Sequence, residues 1–570
     1  MPHGENVLLE ALPVQARGRT GSRMTAEGTT PRKRPIKQAS LAIILALGVW
    51  ALWPPAPEHD APGGVDRGDA VEKTETRYVI KFSAGSFFLP DSRPFGLGKP
   101  LQGFKRVVRA FEERYPDTRI EFVLVPGNRE YLVTQLSSGS APDVLCVNVE
   151  DVWVDVQKDW YIPLDSYLEA PNPFVTEQGD PSLPGAQEWW DLFKYQAISR
   201  GKAAPDGNNY CINLDMIETA VFYNKTMFRE AGVEPPETWD EFIHVLNVLQ
   251  DHENPQGEDV IPLLLHLGAF HDWGSDLFFD QLYYDLLPGI DLVQDPVREA
   301  YLEGYLDWDE LTFLNQKGFF TEQDPRYREL WRIMKELIPY CPRSLTATDF
   351  VREFVNQRGA MFWENCSYVY RFHADPNLEF EWGVFYLPRF TTHTSPYASG
   401  EPMCVIGGTA NQFEVTNSAV GDTDPSLPLA ERMQQSERLQ RVIAFLQFMT
   451  LPENCDTIVN EFPGLLPNIV GVPVHPVLSE FETILKRRYT TTKWIYSYDL
   501  KFSDIQYRML NLYLTGGLTL DDFLGEWQYA NVRTAAENSI RRKNPDLDRL
   551  ETAWQRLAPA RQEMNGLPGG

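Results

Sequence analysis

Between Tyr78 and Val149 the chain alternates short apolar strands with amphipathic helices, and that order leaves few folds open. Tyr78-Val79-Ile80-Lys81-Phe82 reads as a strand ending at Ser83-Ala84-Gly85-Ser86. Phe104, Val107, Val108 and Phe111 then recur at i, i+3, i+4 and i+7, which predicts a helix with one apolar face. Tyr115-Pro116 ends it, because the residue before a proline is pushed out of the α region. Ile120–Val125 is the next strand and Tyr131–Ser137 a short helix. Asp143–Val149 is a continuous apolar strand. Such a strand needs cover on both faces, the condition of a parallel sheet between helical layers. The β-α-β-α-β order therefore predicts an open α/β sheet.

The stretch Val221–Leu249 carries the sharpest local signals. A strand end runs into the polar corner Tyr223-Asn224-Lys225, then a short helix stopped by Gly232 and a break at Pro235-Pro236. Thr238-Trp239-Asp240-Glu241 is a capping box: the Thr hydroxyl and the Glu carboxylate each satisfy backbone amides that a helix start leaves without partners. Phe242, Val245, Leu246 and Leu249 fall on one face of the ensuing helix. Asp285–Gln316 and Arg326–Leu337 read as helical. Gly359–Trp363, Glu381–Leu387 and Met403–Ile406 read as strands, Leu439–Met449 as an apolar helix, and the last hundred residues as mainly helical. No internal repeat is visible.

The 570 residues suffice for two or three cores. The net charge of −28 is unevenly spread. Residues 1–40 carry seven basic residues against three Glu, so the rest is more acidic than the total suggests. That acidity repels phosphate backbones and argues against nucleic acid as a partner. Leu41–Trp53 is an uncharged apolar run behind Arg32-Lys33-Arg34 and Lys37. It is too short for a full span of about 20 residues and matches the apolar region of an export signal or an N-terminal anchor. Basic residues ahead of it place the chain beyond residue 53 outside the cytoplasm. No clear small-x-small cleavage site follows, Trp53-Pro54-Pro55-Ala56-Pro57 being a poor one, and Met24 is an alternative start. Residues 54–75 are rich in Pro, Gly and Asp and read as a linker. The six cysteines are widely spaced, with no C-x-x-C and no Cys/His cluster, which argues against a metal site. They read as isolated thiols, with disulfides as the alternative in an exported protein.

Several segments, in order, resemble the extracellular solute-binding proteins of ABC importers, the sugar-binding, maltose-binding-protein-like group. They are Phe111-Glu-Glu-Arg-Tyr-Pro-Asp-Thr118, Ala141-Pro142-Asp143-Val144, Tyr223-Asn224-Lys225 through Trp239, Gly359-Ala360-Met361, Trp382-Gly383-Val384 with Leu387-Pro388, Gly407-Gly408, and Phe445–Thr450. No cysteine precedes Cys146, so the lipid-anchored cysteine of many such proteins is missing.

The resemblance implies a two-lobed, periplasmic-binding-protein-like (type II) α/β fold with a cleft between the lobes and helical additions at the C-terminus. Lobe 1 is expected over residues 76–220 plus 404–452, and lobe 2 over 221–403 plus 453–570. Hinges are expected near Ala220–Asn224 and Met403–Gly408. The implied function is extracytoplasmic capture of a small solute, most simply a sugar, for delivery to the permease subunits of an importer. No enzyme activity, cofactor or metal is expected. Strand ends facing the cleft give the candidate ligand-binding residues: Ser83, Ser86 and Phe87; Asn128 and Glu130; Asn148, Glu150 and Asp151; Tyr223 and Asn224; Asp272 and Trp273; Trp363 and Tyr368; Gly408 and Thr409. Aromatic rings would stack on sugar faces, and carboxylates and amides would bind the hydroxyl rim. Such proteins commonly carry a cleft Trp about six residues beyond the Met of the Gly-Ala-Met motif. Here that position is Ser367, with Tyr368 adjacent, so Tyr368 or Trp363 is the expected substitute.

Two other readings compete. An anchored glycoside hydrolase needs a pair of carboxylates across a cleft, and the 80 Asp and Glu residues supply candidate pairs by number alone. No G-x-S-x-G, H-E-x-x-H or G-x-x-x-x-G-K-[ST] occurs. A sensor of the same fold, without transport, would differ only in its partner.

Overall fold

The computed structural model describes residues 75–568, except 127–128, 148–151, 154, 196–203, 205, 295–305, 347–348, 407, 485–487, 492–499, 526–529 and 544. The apolar segment 41–53 and the linker 54–74 thus lie outside the described residues. Among the described residues no helix is long and apolar enough to cross a membrane.

Two sheets organise the chain. The first contains β1 (Tyr78–Phe82), β2 (Thr118–Phe122), β3 (Val144–Cys146), β4 (Cys211–Asn213) and, from much later in the sequence, β11 (Gln412–Val415), in the order β2-β1-β3-β11-β4. β1 runs parallel to β2 and β3, and β11 lies antiparallel between β3 and β4. The predicted strand-helix alternation is realised here. The amphipathic helix is α1 (Gly103–Arg114), which buries Phe104, Val107, Val108 and Phe111, and α2 is Arg129–Ser137. The Phe82 ring packs on Phe104, Phe413 and Phe445, joining strand, helix and late chain in one core.

The second sheet has the order β7-β8-β6-β9, formed by β6 (Thr219–Asn224), β7 (Ile261–Leu265), β8 (Gly359–Asn365) and β9 (Trp382–Phe385). β7 and β8 are parallel, and β6 runs antiparallel to both β8 and β9. Its helices include α3 (Lys225–Ala231), α4 (Trp239–Gln250), α5 (Ser275–Tyr283), α6 (Trp308–Gln316), α7 (Pro325–Glu336) and α8 (Tyr368–Ala374). The capping box forms as predicted: Thr238 Oγ1 accepts from the Glu241 amide at 3.3 Å, and Glu241 Oε2 accepts from the Thr238 amide at 3.0 Å. Trp239 is buried edge-on to Phe242, Phe278 and Phe390, so its role is packing.

Late segments distribute between the sheets. α9 (Glu437–Met449) and α10 (Pro452–Val459) pack on α1, and α11 (Ser479–Ile484) packs on β9. A two-stranded parallel ribbon pairs β10 (Met403–Ile406) with β13 (Arg488–Thr491) and lies on α5. α10 thus packs with elements of the first sheet, and β10 with elements of the second. The C-terminal helices α12 (Ala530–Lys543) and α13 (Leu547–Arg556) pack on α6. α13 is held by an ion pair from Lys317 to Glu551 at 2.6 Å, and the segment after it by a hydrogen bond from Arg561 Nη1 to the Gly289 carbonyl at 2.9 Å.

Candidate functional site

Strand direction fixes which edges of the two sheets can hold a ligand. In an open α/β sheet the carboxyl ends of the parallel strands face the binding crevice. In the first sheet those ends are Phe82, Phe122, Cys146 and Asn213, with Gln412 beside Asn213. In the second sheet they are Leu265, Asn365 and Phe385; because β6 is antiparallel, its first residue, Thr219, pairs with Asn365 at this edge. The chain passes directly from Asn213 on one edge to Thr219 on the other, so the two edges face each other across the crossing segments.

Three chain segments make that crossing, and the first bonds to each of the other two. β5 (Asp215–Met216) pairs antiparallel with β12 (Leu466–Pro467). The Ile217 amide donates to the Gly408 carbonyl at 3.0 Å, and the Asn468 amide donates to the Leu214 carbonyl at 2.8 Å. Asp215 is fully buried; its Oδ1 accepts from the Ala410 amide at 2.8 Å and its Oδ2 from Asn411 Nδ2 at 3.0 Å. Burial pushes its carboxyl up to about 7, and the Asn411 and Ala410 hydrogen bonds only partly offset that. Glu218, also fully buried, accepts from the Thr219 amide at 2.9 Å and from the Tyr386 hydroxyl at 3.3 Å. Gly408 has φ +99, a conformation that a side chain resists and that lets the second crossing turn tightly.

Of the sequence candidates, Ser83, Ser86 and Phe87 come just after β1 at the facing edge. Ser83 is buried with its amide donating to the Val144 carbonyl at 2.9 Å, Ser86 is exposed, and Phe87 packs on Phe462 at 5.2 Å. Glu130 is exposed in the first turn of α2, beyond the end of β2. Asp272 and Trp273 fall in a π-helical turn, Phe270–Gly274, beyond the end of β7; Trp273 is half-buried. Trp363 is 1% exposed, near the facing end of β8, with its ring edge-on to Phe270 at 5.4 Å. Tyr368 opens α8 just beyond that end, half-buried between Phe95 and Phe362, and burial pushes its phenol upward. Gly408 and half-buried Thr409 lie on the second crossing. Thr219 Oγ1, Trp363 Nε1 and Thr409 Oγ1 are buried with no hydrogen-bond partner among the described residues. Unused buried polar atoms are few in folded proteins, and here three of them lie on or near the facing edge or the crossings. Asn128, Asn148, Glu150 and Asp151 lie outside the described residues.

Tyr223 and Asn224 are not brought together with the others. They pair with Met361 and Trp382, at the opposite edge of the second sheet. The Tyr223 ring is committed to Phe228 at 4.6 Å and Phe385 at 5.7 Å. Asn224 is fully buried and caps α3, its Oδ1 accepting from the Thr226 and Met227 amides at 2.9 and 3.1 Å. The physical reason is one strand length: the chain crosses at residues 214–218, and β6 then carries it away from the cleft. Sequence reasoning missed Asp215 and Glu218. Two carboxylates three residues apart within the apolar run Cys211–Phe222 were the available signal, since a buried charge demands partners.

A profile of the bacterial extracellular solute-binding protein family matches residues 97–454, well over half of the chain. The chain belongs to that family. Among curated relatives, a multiple sugar-binding protein of Streptococcus mutans is 25% identical over 146 residues, which is 26% of this chain and 30% of the relative. The melibiose/raffinose/stachyose-binding protein of Bacillus subtilis is 22% identical over 218 residues, 37% of this chain and 43% of the relative. The chain thus spans less than half the length of these relatives. A solved chitin oligosaccharide binding protein superposes with a TM-score of 0.52 at 15% identity, covering 80% of this chain and 98% of its own. The fold is therefore the two-lobed α/β fold of solute-binding proteins, and the family is extracellular and not one of enzymes.

Proposed function

We propose that this family member captures a neutral sugar or oligosaccharide outside the cytoplasm and presents it, by lobe closure, to the permease subunits of an ABC importer. The observation that carries the reading is the pair of carboxyl-end sheet edges facing each other across three crossing segments, the first bonded to each of the other two. A ligand touching both edges binds only when they approach, so its binding energy shifts the lobes toward the closed form. Trp273 is a half-buried aromatic ring, and Thr219, Trp363 and Thr409 carry buried polar atoms without partners among the described residues, the mixture of groups a sugar ring requires. The names of the sugar-binding relatives favour the same ligand class. No part of this role needs catalysis, a metal or a cofactor. The apolar segment 41–53 would hold the protein at the membrane or direct its export.

The test is mass spectrometry of small molecules released on denaturing the purified full chain. A saccharide in stoichiometric amount is expected. A non-carbohydrate metabolite in that amount would redirect the ligand class.

A further inference from the structure

The segment from Asp91 to Leu101 leaves the first lobe, touches the second, and returns. Its base is closed by two backbone hydrogen bonds, Asp91 amide to Leu101 carbonyl at 2.9 Å and Leu101 amide to Ser92 carbonyl at 3.0 Å. Asp91 fixes that base to α1: Gln102 Nε2 donates to it at 2.8 Å and Lys105 is ion-paired with it. Those two partners hold its carboxyl below the usual range. The loop is thus a compact Ω-type excursion with joined ends.

Its tip lies on the second lobe. The Phe95 ring sits 5.4 Å from Tyr368 at 33°, and the Tyr370 hydroxyl donates to the Leu97 carbonyl at 3.2 Å. Gly98 is pressed so closely that a Cβ there would lie 2.3 Å from the Tyr370 hydroxyl oxygen. Phe95 itself has φ +55, a conformation uncommon for a bulky non-glycine residue. Pro94 and Gly96 flank it, and Tyr370 also stacks on Phe462, just after α10, at 4.6 Å.

Tyr368 stands at the facing edge of the second sheet, where a sugar ring could stack. Its ring meets Phe362 at 82° and Phe95 at 33°, each 5.4 Å away. A sugar sandwiched between Phe95 and Tyr368 would need roughly twice a stacking distance of about 4.5 Å, more than the present gap. We propose that residues 91–101 are a strap across one end of the cleft, with Phe95 occupying the Tyr368 platform, so that the strap limits how many sugar rings the cleft accepts. This rests on the sugar-capture reading and adds the residue that sets ligand length.

The experiment compares the full chain with Phe95→Ala, which removes the ring, and Gly98→Ala, which drives the tip off Tyr370 while keeping Phe95. Each protein is titrated calorimetrically with a series of neutral oligosaccharides of two to six rings, and the ligand-free forms are compared by small-angle X-ray scattering. Both variants are expected to raise the affinity for the longest saccharide relative to the shortest by at least tenfold. Both are also expected to enlarge the ligand-free radius of gyration. A length profile within twofold of the wild type in both variants overturns the strap as a length limit. If none of the proteins binds any saccharide, the capture reading falls and the length limit with it. An unchanged radius of gyration in both variants overturns the bridging of the lobes by itself, whatever the saccharides do.

Discussion

Replacing Asp215 by Asn is expected to change how stability depends on pH, and the size of the change is set by where the carboxyl sits. Asp215 is fully buried among the crossing segments, with the Ala410 amide and Asn411 Nδ2 as its donors and no cation among them. Burial carries its carboxyl from 3.8 to about 7. The folded protein therefore holds this proton more tightly than the unfolded chain does. The stabilisation from that proton is fully present below about pH 4, is lost progressively as pH rises, and is gone above about pH 7. At about 1.4 kcal/mol per pH unit the total is about 4 kcal/mol. Asn cannot titrate, keeps Oδ1 for the Ala410 amide, and can be matched by a turned-over Asn411 amide. Every other group, including buried Asp324 with its carboxyl raised to about 6, is common to both proteins and cancels in the difference. Urea unfolding of both proteins at half-unit steps from pH 4 to pH 8 measures that difference. The stability of Asp215→Asn relative to wild type should rise by about 3–5 kcal/mol across this range. Parallel curves, within about 1 kcal/mol throughout, would refute the claim that the Asp215 carboxyl is desolvated.

Asp324→Ala should cost at least about 3 kcal/mol in urea unfolding at pH 7, because four buried donors lose their acceptor: the Tyr283 hydroxyl and the Phe320, Arg326 and Tyr327 amides. A loss below about 1 kcal/mol would mean that the start of α7 holds without its cap. Tyr223→Ala should lower stability by about 2 kcal/mol through lost packing on Phe228 and Phe385, yet leave saccharide affinity within twofold. Trp273→Ala should instead weaken affinity at least tenfold with little change in stability; calorimetric titration and urea unfolding together check both, and the opposite pattern would move the site to the far edge of the second sheet.

Local signals predicted the first sheet well. The i, i+3, i+4, i+7 pattern of Phe104–Phe111 and the Thr238–Glu241 box depend only on nearby residues, and both appear as read. The site was harder to read, because a strand end faces the cleft or turns from it according to strand direction, and direction is set by partners distant in sequence. Tyr223 reads as a cleft residue from its local sequence, but β6 runs antiparallel to β8 and ends at the opposite edge. Likewise β11 enters the first sheet from nearly two hundred residues beyond β4, so nothing near Gln412 announces its place. The strap was invisible for the same reason: Phe95 and Tyr368 meet only through the fold.

The central claim, that the two facing edges close on a sugar, is tested most directly by thermal unfolding of the full chain against a broad panel of neutral mono- and oligosaccharides. A ligand that binds only the folded state at a hundredfold excess over its Kd adds about 2.7 kcal/mol of stability, a clear upward shift of the midpoint. At least one saccharide is expected to give that shift, and Trp273→Ala is expected to abolish it. No shift with any member of the panel, or a shift that survives Trp273→Ala undiminished, would contradict sugar capture at this cleft.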